Sequence, residues 1–244
     1  MVVKLIGYIW WQPYWSKMTK LSDIQTEKQK LEGEIKDSIA RRRPIENCVR
    51  SYDNVIDNEW CNNVIDLFEK SKPESFNTGH KEYTELDIDN LPEVRSEMGL
   101  PYEPYKNIRE KFLELMKTNM NRFMKDVGID KLHFPPVIDM ENIRIKKYTD
   151  NGKDQFGEHV DVLRSKGPSS KRFLVFILYL SDVEEGGETS IPRYNLKVKP
   201  KQARLLMFPP FWTHPHKGEK VIKGTKYTIM SYLHYGDQLD NNIR

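Results

Sequence analysis

His159 and Asp161, in the run Gly157-Glu158-His159-Val160-Asp161, put an imidazole and a carboxylate two residues apart. Successive side chains of an extended chain point to opposite faces, so a strand here would send both groups to one side, where they could share a divalent metal. A third ligand from a strand distant in sequence would complete two histidines and one carboxylate on one face of the ion. That set suits non-haem iron(II) and leaves positions open for other molecules. His216, in the segment Arg204 to Tyr235, is the candidate. His214 stands two residues before it across Pro215, and periodicity alone places both imidazoles on one face. A single His-x-Asp pair is weak evidence, since it occurs by chance in many chains. His80, His133 and His234 have no partner at ligand spacing and read as ordinary surface or core histidines.

The elements that must hold these residues are short strands. Beyond Val127 the pattern predicts strands at Asn142 to Thr149, Arg172 to Leu180, Leu196 to Lys199, Ala203 to Phe208 and Tyr227 to Tyr235, a barrel or sandwich signature. The run Phe173 to Leu180 is apolar on both faces, as expected of a central strand covered on each side. Upstream, a short strand around Cys48 and Val49 precedes a helix from Glu59 to Lys70, capped at Asp57-Asn58. A second helix is expected over Lys106 to Asp126, where Ile108, Phe112, Leu115, Met116, Met120 and Phe123 recur at helical spacing and Gly128 closes it. Ser71 to Tyr105 reads as a long loop with one short strand near Leu86 and Ile88. The expected class is mainly β with flanking helices, the helices lying against one sheet.

Residues 1–44 read as an aromatic arm and a helix over Ser22 to Arg42, and residues 45–244 as a single domain with its β core at about 140–236. The opening run MVVKLIGYIWWQPYW is read as a strand or arm over the barrel; it lacks a signal-peptide cleavage pattern and falls short of the roughly 20 residues that cross a bilayer. The chain has 244 residues, 38% hydrophobic and 31% charged, which describes a globular protein and not a disordered one. Its 39 Lys and Arg are spread among 36 acidic residues for a net charge of +3, which argues against nucleic acid as a partner. Two cysteines, Cys48 and Cys61, are too few for a disulfide framework and fit a reducing cytoplasm, which would also keep iron ferrous.

Further motifs follow the pair in a fixed order. Lys147-Tyr148 stands about ten residues before His159-Val160-Asp161; Tyr179-Leu180-Ser181-Asp182 leads into Gly186-Gly187-Glu188-Thr189; Pro200 and Phe208 precede His216, with Lys226 ten residues beyond it. In these motifs, over roughly Ile45 to Tyr235 and most strongly after residue 140, the chain resembles iron- and 2-oxoglutarate-dependent dioxygenases of the prolyl 4-hydroxylase branch. The resemblance implies a double-stranded β-helix, the jelly roll of the cupin-like folds. It favours His216 over His214 as the distal ligand, with His214 packing nearby or bonding a backbone group. It implies iron(II), 2-oxoglutarate and dioxygen at the site, with ascorbate as reductant. An unpaired carboxylate inside a barrel is costly, so the far end of the cosubstrate needs a fixed cation, which Lys226 would supply. By the same resemblance Tyr179 would add a hydroxyl to that carboxylate and Tyr148 would bond near the metal end.

The substrate implied is a prolyl residue of a peptide or protein. A free amino acid, a small metabolite or a nucleobase on the same site is the alternative, as is a metal-binding barrel that catalyses nothing. The chain departs from the family between Asp161 and Arg172, whose Gly, Pro and Ser content suggests a mobile loop beside the substrate groove. Arg164, Lys166 and Trp212 are candidate rim contacts. The strand that often ends in tryptophan ends here in Ser231-Tyr232-Leu233.

Overall fold

The computed structural model describes residues 25–33, 48–71, 73–89 and 103–236. The chain divides into two units, Met1–Pro44 and Ile45–Arg244. In the first, residues 25–33 are helical and exposed; the aromatic arm and the remainder of the helix expected over Ser22 to Arg42 lie outside the described residues.

The second unit is a jelly-roll barrel with two long helices. Its strands are β1 (Arg50–Tyr52), β2 (Glu74–Asn77), β3 (Lys81–Asp87), β4 (Ile138–Met140), β5 (Arg144–Thr149), β6 (Gln155–His159), β7 (Arg172–Tyr179), β8 (Glu185–Gly186), β9 (Thr189–Ile191), β10 (Leu196–Val198), β11 (Arg204–Phe208), β12 (His216–Gly218), β13 (Val221–Lys223) and β14 (Thr225–Tyr235). The helices are α1 (Asn58–Lys70) and α2 (Glu103–Val127). Pairing runs β1-β11-β7-β14-β5-β3-β6-β12-β9-β10, with β2 on β3, β4 on β14, and β13 with β8 as a separate pair. β7 lies between β11 and β14, which is why it is apolar on both faces.

Strict alternation sorts the side chains of the central strands. Leu174, Phe176 and Leu178 of β7, Leu205 and Met207 of β11, and Tyr227, Ile229 and Leu233 of β14 face outward into a core shared with Phe68 of α1 and Phe112 of α2. Val175 and Tyr179, Leu206 and Phe208, Met230 and Tyr232 form a second cluster on the other face, inside the barrel. α1 begins where the Asp57 carboxylate accepts from Trp60 N–H at 2.6 Å, and it buries Cys61, Val64 and Phe68. α2 buries Ile108, Phe112, Leu115, Met116 and Phe123 and ends at Gly128, whose φ of +75° suits glycine. These helices back the wall formed by β7, β14 and β5 and leave the barrel interior free for chemistry.

The sequence reading is corrected at the long loop. Residues 74–87 form the hairpin β2–β3, not one short strand, and β3 pairs with both β5 and β6. Ile88 lies just past its end.

Candidate functional site

β6 and β12 run antiparallel with His159 opposite His216, so two residues distant in sequence become neighbours through strand register. β6 stops at His159, and Asp161 is set by the loop beyond it, where its backbone N–H donates to Pro210 O at 3.1 Å. One ligand atom from each of His159, Asp161 and His216 lies within 4.8 Å of the others. His159 Nε2 stands 3.5 Å from Asp161 Oδ1, and His216 Nε2 stands 3.5 Å from Asp161 Oδ2. Ligand atoms at right angles on a metal with bonds near 2.1 Å are roughly 3 Å apart, so the set needs little movement to bind one ion.

Both imidazoles are oriented by the main chain. His159 Nδ1 lies 2.7 Å from Gly157 O, and His216 Nδ1 lies 3.0 Å from His214 O. A carbonyl only accepts, so each Nδ1 carries the proton and each Nε2 keeps its lone pair toward the centre. Burial pushes the His216 pKa down to about 4, which keeps that imidazole neutral at physiological pH. For Asp161 burial opposes the charge, but the His159 contact and the fields of His216, His159 and Arg172 hold its pKa below the usual value. Asp161 Oδ2 is buried with no hydrogen-bond partner among the described residues. Such an atom is expensive unless something positive completes it, and two neutral imidazole nitrogens cannot. An iron(II) ion fits the buried carboxylate charge, the donor set and the spacing.

The interior cavity beside the triad is walled by β5, β6, β12 and β14: its lining includes Lys146, Tyr148, Phe156, His159, Thr189, His216, Gly218, Lys226, Thr228, Met230 and Tyr232. Phe156 stacks on His159 at 3.8 Å. Lys226 is 4% exposed, and no acceptor among the described residues lies within hydrogen-bonding distance of its Nζ. Its ammonium lies over the Tyr148 ring at 4.9 Å, and burial lowers its pKa to about 7. Gly218 lies beside Lys226, where a Cβ would be in ordinary contact with Nζ at 3.8 Å. Gly186 and Gly187 have φ of +76° and +71°, so this pair is a turn that needs glycine. With a divalent ion held by the triad, the cavity would present positive charge both there and at Lys226.

Of the other expected residues, Tyr148 lines the cavity. Tyr179 is fully buried, but its hydroxyl donates to Thr189 Oγ1 at 2.7 Å, and its ring is 5.8 Å from Lys226 Nζ. His214 packs its ring against Tyr194 and Phe208 and bonds Thr213 Oγ1 through Nδ1 at 2.8 Å. Arg164, Lys166 and Trp212 are exposed, and Leu163 is 79% exposed beside them. His80 lies edge-on to His159 at 6.1 Å. Sequence reasoning missed Lys146. Lys146 alternates with Tyr148 on β5, and that spacing is the available signal. A larger polar cleft of about 570 Å³ opens between α1, β2 and β3, but it contains neither the triad nor Lys226.

Residues 143–234 match the family described as the 2OG-Fe(II) oxygenase superfamily. The chain is 30% identical over 135 residues to "Probable prolyl 4-hydroxylase 3" of Arabidopsis thaliana, covering 43% of this chain and 46% of that protein. It is 34% identical over 123 residues to "Probable prolyl 4-hydroxylase 9" of the same plant, covering 40% and 42%. The chain thus spans less than half the length of these curated relatives. Among solved structures, the viral collagen prolyl hydroxylase of Paramecium bursaria Chlorella virus-1, in its 2OG complex, superposes with a TM-score of 0.54 at 17% identity over 78% of this chain and 97% of that one. A Trichoplax adhaerens prolyl hydroxylase with a peptide fragment of the hypoxia inducible factor oxygen degradation domain gives 0.55 at 13% identity over 90% and 95%. At these identities the structural likeness speaks for the fold.

Proposed function

Residues 143–234 belong to the 2OG-Fe(II) oxygenase superfamily, in its prolyl 4-hydroxylase-like branch, and from that premise we propose an iron(II)- and 2-oxoglutarate-dependent dioxygenase. Its reaction would hydroxylate a prolyl residue of a peptide or protein and release succinate and CO₂. The observation that carries the reading is one cavity with the buried Asp161 carboxylate between two histidine nitrogens on one side and the buried Lys226, its ammonium over the Tyr148 ring, on the other. A barrel that bound metal alone would have no use for the second.

In this reading His159, Asp161 and His216 hold iron(II). Bound there, the metal supplies the oxidising chemistry that couples decarboxylation of 2-oxoglutarate by dioxygen to hydroxylation of an unactivated carbon. The chain's own residues position and exclude. Lys226 fixes the far carboxylate of 2-oxoglutarate with a charge-assisted bond strengthened by its dry surroundings. Tyr148 walls the same cavity, and Tyr179, tied to Thr189, stiffens the wall behind it. Phe156, flat against His159, screens that ligand from water. The exposed Trp212 and Leu163 are apolar contacts for a peptide at the rim. The prolyl substrate is supported by the names of the curated relatives and by the peptide held in the Trichoplax neighbour.

Residues 45–244 would act as one dioxygenase domain, with ascorbate as reductant. Both described cysteines, Cys48 and Cys61, are free thiols, in keeping with a reducing cytoplasm. Among the described residues no helix is long and apolar enough to cross a membrane.

The experiment is succinate formation from 2-oxoglutarate by purified protein with iron(II) and ascorbate, with and without proline-containing peptides. Peptide-stimulated turnover with one oxygen atom added to the peptide is expected. No succinate from protein shown to hold iron would overturn the reading in favour of a binding module.

A further inference from the structure

Lys146 is a buried cation that the function proposed above does not use. On β5 it alternates with Tyr148, and its register partner on β14 is Thr228, one inward-facing step from the Lys226–Tyr148 pair. Its ammonium lies 5.2 Å from the Phe156 ring, the same ring that stacks on His159. The Asp161 charge acts on Lys146, and the Lys146 charge acts on Lys226, in keeping with their shared cavity. Lys146 is 6% exposed and lines the same cavity.

Its contacts leave it under-used. An ammonium has three donors. Two acceptors serve it, Glu85 Oε2 and Tyr83 OH, each at 3.3 Å. Charge-assisted bonds of this kind settle at about 2.8 Å, so both contacts are slack. Glu85 is also shared with Arg144, whose Nε lies 3.7 Å from Oε1. Burying an ammonium carries a desolvation cost that a loose pair does not recover, whereas an apolar side chain would fill the position without that cost. A second anionic ligand group arriving beside the triad would complete it.

We propose that Lys146 is a second carboxylate-binding residue of this cavity, taking the carboxylate next to the 2-oxo group of the cosubstrate while Lys226 takes the far one. The proposal rests on the 2-oxoglutarate reading above. It assigns the two ammonium groups to the two ends of one dicarboxylate, with Glu85 holding Lys146 in place until that carboxylate arrives.

The test is direct binding, measured by titration calorimetry on the full chain loaded with Mn(II) in the absence of dioxygen. Two acids serve as probes: 2-oxoglutarate, and 2-oxopentanoate, which keeps the 2-oxo carboxylate and lacks the far one. The double variant Lys146→Met/Glu85→Gln removes the pair without stranding a buried charge. It is expected to weaken both acids by the same factor, about ten- to a hundredfold. Lys226→Met should weaken 2-oxoglutarate alone. Double-variant affinities equal to wild type, or a loss confined to 2-oxoglutarate, would overturn the assignment. Glu85→Gln alone frees the ammonium and should tighten both acids equally; unchanged affinity there overturns the proposal even if the double variant does not fold. Wild-type protein that holds Mn(II) but binds neither acid would instead sink the oxygenase reading itself, and this assignment with it.

Discussion

Glu141 and Asp161 are both buried carboxylates of one barrel, and their surroundings treat them in opposite ways. Glu141 accepts from Arg172 Nε and Nη2 at 2.7 Å each, from Arg144 Nη1 at 3.1 Å and from His234 Nε2 at 2.9 Å. Burial alone would raise its pKa, but these donors bring it down to about 2. Asp161, less than one strand away through Arg172, whose Nη1 lies 3.7 Å from Oδ1, keeps an oxygen with no hydrogen-bond partner. The fold can therefore saturate an interior acid and does so where structure alone is at stake. Where an acid is left incomplete between two imidazole nitrogens, the partner proposed above is a metal ion. The same contrast separates Lys226, with no hydrogen-bond acceptor among the described residues, from Arg172, which is filled and also lies 3.9 Å over the Tyr232 ring.

The most severe way to break the comparison is at the incomplete acid. Asp161→Ala, like His159→Ala or His216→Ala, should abolish succinate formation while circular dichroism and the melting temperature stay near wild type; unchanged turnover in any of the three would remove that residue from the site. Glu141→Ala should do the reverse, costing about 3–5 kcal/mol in urea unfolding because two arginines lose their buried counter-charge. A loss under 1 kcal/mol would mean that the network is not structural.

A subtler effect concerns Lys226, whose pKa is pushed down to about 7. Deprotonation removes the charge proposed to hold 2-oxoglutarate, so affinity should fall as pH rises, by about fivefold between pH 7 and pH 8. Lys226→Arg, which stays charged, should flatten that profile, and an unaltered slope would move the titration elsewhere. Linkage runs the other way for stability. The unfolded lysine binds its proton up to pH 10.5 while the folded one releases it near 7, so this residue's cost to the fold is relieved as pH climbs between those values. The smallest effect belongs to Asp53, which pairs with Arg204 and Lys201 at the surface. Solvent screens such pairs, and Asp53→Ala should change stability by under about 1 kcal/mol in the same urea titration.

The apolar elements of this fold were legible in the sequence. β7, β11 and β14 follow from continuous apolar runs, and α2 from helical spacing; the observed Glu103–Val127 brackets the expected Lys106 to Asp126. The meeting of His159, Asp161 and His216 followed from motif order, although Asp161 lies past the end of its strand. What escaped notice was polar. β2 and β3 carry Glu74, Lys81, Glu82, Glu85 and Asp87, and a search for hydrophobic alternation passes over them. The inward acids of β3 face inward bases of β5, Glu85 opposite Lys146 and Asp87 opposite Arg144, so the alternation is one of charge. Lys146 and Lys147 look identical in a linear reading. The pleat sends one into the cavity and the other out to Glu69 of α1, 2.8 Å away. Tyr179 was legible as buried, but the partner of its hydroxyl, Thr189 on β9, depends on pairing that spacing does not encode.

One feature of the triad bears on how such a protein can diverge. Each imidazole is held by a main-chain carbonyl two residues back, Gly157 on β6 for His159 and His214 just before β12 for His216. A main-chain acceptor survives any side-chain substitution at those positions that leaves the backbone in place. The tautomers of both histidines therefore do not depend on any other side chain, and the barrel can exchange its rim and cavity residues without removing the acceptors that orient the triad.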